Sequence, residues 1–151
     1  MSETDSNSNR VDVALSRFSE GFSCSQSVLV AFAPDLGLDA DAAFRVSAAF
    51  GGGMGRTGGT CGAVTGALMV LGLRYGPTVA DKMAKELTYA QARDLITRFE
   101  ARHSATVCAD LLGVNISTPQ GQSAARDANL FKTVCPVLVA SAVAILQEMG
   151  I

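Results

Sequence analysis

The chain has 151 residues, 48% of them hydrophobic and 17% charged, with a net charge of −2 and a pI of about 5.3. That length suits one domain with a single core, and the composition excludes a disordered chain. Without a basic surplus there is little electrostatic basis for binding nucleic acid.

The polar start MSETDSNSNR lacks an apolar signal segment and reads as a disordered tail over residues 1–10, leaving 11–151 as one helical domain. Val11, Leu15, Phe18 and Phe22 share the spacing of one helical face, and Gly21 near its end lets the chain turn. A second helix is expected from Cys24 through Val28, Leu29 and Phe32, with Pro34 and Gly37 ending it. Asp39 or Asp41 caps a third, with Phe44, Ser47 and Phe50 inward. After a glycine-rich loop, a fourth covers 61–75. A fifth begins near Val79, and TYAQ at 88–91 reads as a capping box that predicts a break or kink. Beyond it Ala92, Leu95, Ile96 and Phe99 share a face, which His103 extends as a core or boundary histidine. CADLLG is a single helical turn and NISTPQGQSAARDA a polar connection. A last helix runs from Cys135-Pro136 to Met149. Strand signals are nearly absent, so the expected fold class is all-α, a compact bundle of about five to seven helices. The apolar runs 61–75 and 134–146 fall short of the ~20 residues a membrane span needs, which points to a cytoplasmic protein without a transmembrane segment.

The four cysteines, Cys24, Cys61, Cys108 and Cys135, each fall at or near a helix start. A helix N-terminus offers unpaired N–H groups and partial positive charge, so the placement predicts lowered thiol pKa values. In a reducing compartment structural disulfides are disfavoured, which leaves redox chemistry, metal ligation or plain burial of small apolar side chains. The stretch FGGGMGRTGGTCGAVTGALMVLGL lacks the Gly-Lys-Ser/Thr ending of a phosphate loop, and no strand precedes it. Its glycines instead permit close approach around Cys61. Arg56, the loop's only charge, is placed to offset a thiolate cluster, and the alternative is a solvated arginine. Gly62, Ala63, Gly66 and Ala67 form a small-residue face for tight helix packing. Converging thiolates would favour an iron–sulfur cluster or zinc over magnesium or calcium. No Ser/His/Asp set or carboxylate pair suggests hydrolytic catalysis.

These segments resemble the C_GCAxxG_C_C family of redox-active proteins. The motif stands here as Cys61-Gly62-Ala63-Val64-Thr65-Gly66. GFSCSQSVL, FGGGMGRTG, CADLLGVNISTPQG and CPVLVASAVAIL match family segments in family order, over roughly residues 11 to 149. The resemblance implies a redox role centred on Cys24, Cys61, Cys108 and Cys135. A related domain accompanies the haem-binding part of split-Soret cytochromes, where an iron–sulfur centre is associated with it. CxxCH is absent, so covalent haem is not implied.

The leading expectation is therefore an electron carrier or redox sensor, or an oxidoreductase, with a [2Fe–2S]-type cluster on the four cysteines and Gly62 and Arg56 beside it. It would work with a redox partner protein, and a homodimer fits the apolar composition. Two other readings stay open: a thiol–disulfide protein that cycles cysteine pairs, and a zinc-bound or metal-free helical interaction module. The absence of CxxC lowers zinc.

Overall fold

The computed structural model describes residues 3–151, with side chains from Asn9 onward. The chain is built from helices: α1 (Glu3–Ser19), α2 (Cys24–Val30), α3 (Ala40–Ser47), α4 (Gly51–Met54), α5 (Gly62–Tyr75), α6 (Lys82–His103), α7 (Cys108–Leu112), α8 (Pro119–Asp127), α9 (Leu130–Thr133) and α10 (Cys135–Glu148). Among the described residues seven of these run for seven residues or more, and extended pairing is limited to one isolated antiparallel bridge, Thr60 with Val107. The fold is all-α.

The core forms where α2, α5 and α10 meet. Val28 and Leu29 from α2, Val64, Ala67, Val70 and Leu71 from α5, and Val139, Val143, Ile145 and Leu146 from α10 are essentially inaccessible. Leu95 and Phe99 of α6 close one side, and α1 and α3 pack outside α2. The small-residue face of α5 does what its composition predicts. A Cβ built on Gly66 would stand 2.7 Å from the Ser25 carbonyl oxygen and 3.0 Å from its Cα, so only glycine admits this crossing of α5 on α2. Ser25, fully buried, donates to the Ser47 carbonyl at 2.9 Å and ties α2 to the end of α3.

Beyond the first ten residues, three expectations change. Met1 and Ser2 lie outside the described residues, and the backbone is helical from Glu3 on. Arg10 belongs to the fold. Its guanidinium donates to the Ala31 carbonyl at 2.8 Å, pairs with Asp35 at 3.0 Å and lies over the Phe32 ring. No break occurs at TYAQ: α6 is continuous because the Thr88 hydroxyl donates to the Ala84 carbonyl one turn back, while Asp81 supplies the real N-cap. The polar connection after α7 contains α8, started by Thr118, whose hydroxyl accepts the Gly121 N–H at 3.0 Å, and by Pro119 in the first turn. Finally, the stretch Leu130–Glu148 is long and apolar enough, by length and composition, to cross a membrane, which the run 134–146 alone is not. It lies against α1, α2, α5 and α6 with Leu138 through Leu146 supplying core side chains, as a core helix does.

Candidate functional site

Each cysteine stands at a helix start, as the sequence predicts: Cys24, Cys108 and Cys135 are the first residues of α2, α7 and α10, and Cys61 is the N-cap of α5. Cys24 is fixed by a capping box. The Ser23 hydroxyl accepts the Gln26 N–H while the Gln26 side-chain oxygen accepts the Ser23 N–H at 3.0 Å. The Gln26 amide then donates to the Phe44 carbonyl, which anchors the same turn to α3.

The glycine-rich loop is a left-handed turn. Gly52, Gly53, Met54, Gly55 and Arg56 have φ of 67°, 67°, 66°, 64° and 65° in succession. For non-glycine residues this conformation costs roughly 1–2 kcal/mol each, which explains three glycines in five positions. The turn delivers Gly59 to Gly53, by an N–H···O bond of 2.9 Å, and so sets up the bridge that follows. Across that bridge the Cys61 N–H donates to the Thr106 carbonyl at 2.7 Å and the Cys108 N–H to the Gly59 carbonyl at 2.6 Å. A Cβ on Gly53 would meet the Gly59 backbone at 2.6 Å and Cys108 Cβ at 2.9 Å. Gly62, next to Cys61, lets the start of α5 approach the start of α2: an alanine there would bring a carbon within 3.0 Å of the Ser25 nitrogen and 3.2 Å of Cys24 Cβ.

All four cysteines line one cavity of about 530 Å³, together with Arg56 and Gly62. Every residue singled out by the sequence for cofactor binding is on its wall. Phe18, Leu111, Ile116, Phe131 and Leu138 supply an apolar lining that sequence reasoning missed. Phe131 and Ile116 were hidden because the segment around α8 looked like a solvated connection. Among the described residues no histidine or carboxylate lines the cavity, and Arg56 is the only charged side chain on its wall. The wall reaches the surface at Gly55 and Arg56, both exposed. His103 is elsewhere, bonded to the Ser141 hydroxyl through Nε2 at 2.7 Å and packed on Phe99. Among the described residues, no group of three or more His, Cys, Asp or Glu is arranged to hold a metal ion. The thiols surround a space rather than gathering on one point.

The predicted lowering of all four thiol pKa values holds for one. Cys135 is lowered, chiefly because the Cys24 thiol hydrogen-bonds it, and against its own burial. Cys24 is raised well above the ordinary thiol value by that same bond, then by burial and by the neighbouring Cys61, Cys135 and Cys108. Burial raises Cys61, opposed by the Ala63 and Val64 amides in the first turn of α5. Burial, reinforced by Cys61 and Cys135, pushes Cys108 up to about 12. Loss of water outweighs the helix termini, because a thiolate in an apolar wall loses more solvation than a partial charge returns.

A family model described as "Putative redox-active protein (C_GCAxxG_C_C)" matches residues 22–149, which include all four cysteines. No curated protein and no solved structure matches the chain.

Proposed function

The chain belongs to the C_GCAxxG_C_C family of redox-active proteins, and we propose that its redox centre is an iron–sulfur cluster of the [2Fe–2S] type held by Cys24, Cys61, Cys108 and Cys135. The observation that carries this reading is the shared cavity, walled by four thiols and, among the described residues, by no histidine or carboxylate. The donor set fits. Four soft sulfur ligands select iron–sulfur or zinc over hard cations. A lone tetrahedral zinc needs its sulfurs within about 2.3 Å of one centre, whereas a multi-atom cluster spreads its thiolates around a larger volume. Thiols placed around a cavity support the second arrangement.

When bound, such a cluster supplies reversible one-electron chemistry. The protein's own contribution is positioning and polarity. The capping box fixes Cys24, the backbone bridge fixes Cys61 and Cys108, and the Pro136 turn of α10 fixes Cys135. The Ala63 and Val64 amides favour negative charge on the Cys61 sulfur, and Arg56 offsets negative charge within the cavity. Raised thiol pKa values make ligation proton-coupled, since each thiol must lose its proton to bind. Electrons would pass to a partner protein at the exposed edge near Arg56.

Anaerobic reconstitution of reduced protein with ferrous iron and sulfide tests the reading. It predicts a brown product with about two irons and two sulfides per chain, and loss of that chromophore in Cys61→Ser. Protein that stays colourless and retains neither element contradicts it.

A further inference from the structure

Two non-glycine residues of the glycine-rich turn hold left-handed backbone, Met54 at φ of 66° and Arg56 at 65°. Neither has the short polar side chain that eases this conformation, so the strain persists only where the surroundings impose it. Met54 has a packing account: its methyl carbon lies 3.0 Å from where a Cβ on Gly59 would stand, over the bridge. Arg56 is different. Its stem lies on Gly52, where an added Cβ would come within 2.8 Å of Arg56 Cγ and 3.4 Å of Ile116 Cδ1. All three residues line the cavity, and Arg56 is exposed at its edge. Among the described residues its guanidinium has no ion pair and no hydrogen bond. Arg10, by contrast, is bonded to the Ala31 carbonyl and paired with Asp35. The wall behind Arg56 is apolar, with Phe18, Leu111, Ile116 and Phe131, and the volume of about 530 Å³ is that of a small-molecule site. One free cation at the rim of an apolar cavity matches a ligand with an apolar body and one negative end.

We propose that the cavity binds small organic carboxylates, with the Arg56 guanidinium taking the carboxylate at the rim and Phe18, Ile116 and Phe131 packing on the apolar part. The planar fork of an arginine matches the two oxygens of a carboxylate. Their attraction is stronger against a low-dielectric wall than in open water. Glycine would adopt the backbone of position 56 freely. An arginine stands there because the ligand requires its charge at that point. The site is a property of the chain without metal, so it goes beyond cluster binding and does not depend on it.

The four free thiols on the wall report occupancy of the cavity. Reduced, metal-free full-length protein is labelled with iodoacetamide at low salt, and the rate is followed by intact mass. Millimolar benzoate should slow the labelling at least about threefold, while its neutral analogue benzamide should leave the rate unchanged. Arg56→Gln should lose the protection. Labelling that benzoate does not slow, or that benzamide slows equally, would overturn the site. Protection that survives in Arg56→Gln would overturn the role of the arginine. Arg56→Gly then separates ligand binding from folding. Its urea midpoint should be equal to or higher than that of the unsubstituted protein, because glycine relieves the left-handed strain, while benzoate protection disappears. A lower midpoint would mean that the arginine is kept for packing, and would overturn the link between its strain and the ligand. Iron retention after anaerobic reconstitution is measured in parallel, so that failure of carboxylate binding and failure of cluster binding are told apart.

Discussion

Cys24 and Cys135 stand on two helices held together by side-chain packing, while Cys61 and Cys108 are held by main-chain hydrogen bonds across a bridge that a left-handed glycine turn creates. The two halves of the site have different tolerances as a result. The packed half depends on where α2 sits, which is set by its packing on α10 and by the close crossing of α5 at Gly66 and Gly62. The bridged half depends on backbone conformation between Gly52 and Arg56. The cavity that the four sulfurs share thus combines a wall set by helix packing with a wall set by main-chain hydrogen bonds.

The largest effect should come from breaking the bridged half. Gly53→Ala places a side chain in the left-handed region and within 2.6 Å of the Gly59 backbone. It should cost about 2–4 kcal/mol in urea unfolding and abolish iron retention by displacing Cys108. Disturbing the packed half should cost less: Gly66→Ala meets the Ser25 backbone at 2.7 Å and should lose about 1–3 kcal/mol. Hydrogen exchange sharpens the contrast. In Gly66→Ala the Cys61 and Cys108 amides, bonded across the bridge, should stay protected while the amides of α2 exchange faster. Equal loss of protection in both halves would show that they are not separable.

A third change leaves both halves in place. Thr118→Ala removes the N-cap of α8 and should cost about 1 kcal/mol in thermal unfolding without altering iron content. The last effect is absent at neutral pH and shows only in alkali. Cys108 is raised from the ordinary 9.0 to about 12 in the folded state. The unfolded chain therefore releases that proton first, and the stability of the metal-free protein should be complete below pH 9 and fall between pH 9 and about 12. Cys108→Ala should flatten part of that fall, and an unchanged slope would mean that Cys108 is not held as a buried thiol.

Much of this was legible in the sequence, and the failures have physical causes. Helical periodicity and the cysteine positions gave the fold class and all four helix starts, because caps and apolar spacing are local properties. The same local pattern also misled. SCSQ at 23–26 and TYAQ at 88–91 both fit the capping box, yet only the first begins a helix. Gly21, with φ of 107°, interrupts the chain before Ser23, whereas Glu86 and Leu87 carry α6 through Thr88 without a break. In α8 the Thr118-Pro119 start was present but masked by polar composition. The thiol pKa directions were not legible, since they depend on burial and on the Cys24–Cys135 contact, and both arise only when distant segments meet.

The central claim, that four sulfurs on two scaffolds serve one centre, is tested most directly by counting thiols before and after anaerobic loading with iron and sulfide. All four cysteines are free in the metal-free chain, so a denaturing alkylation of reduced protein should label four. Under native conditions after loading, Cys24, Cys61, Cys108 and Cys135 should all become protected together, and all should be released together by an iron chelator. Protection of only one pair, with the other as reactive as before, would contradict a shared centre.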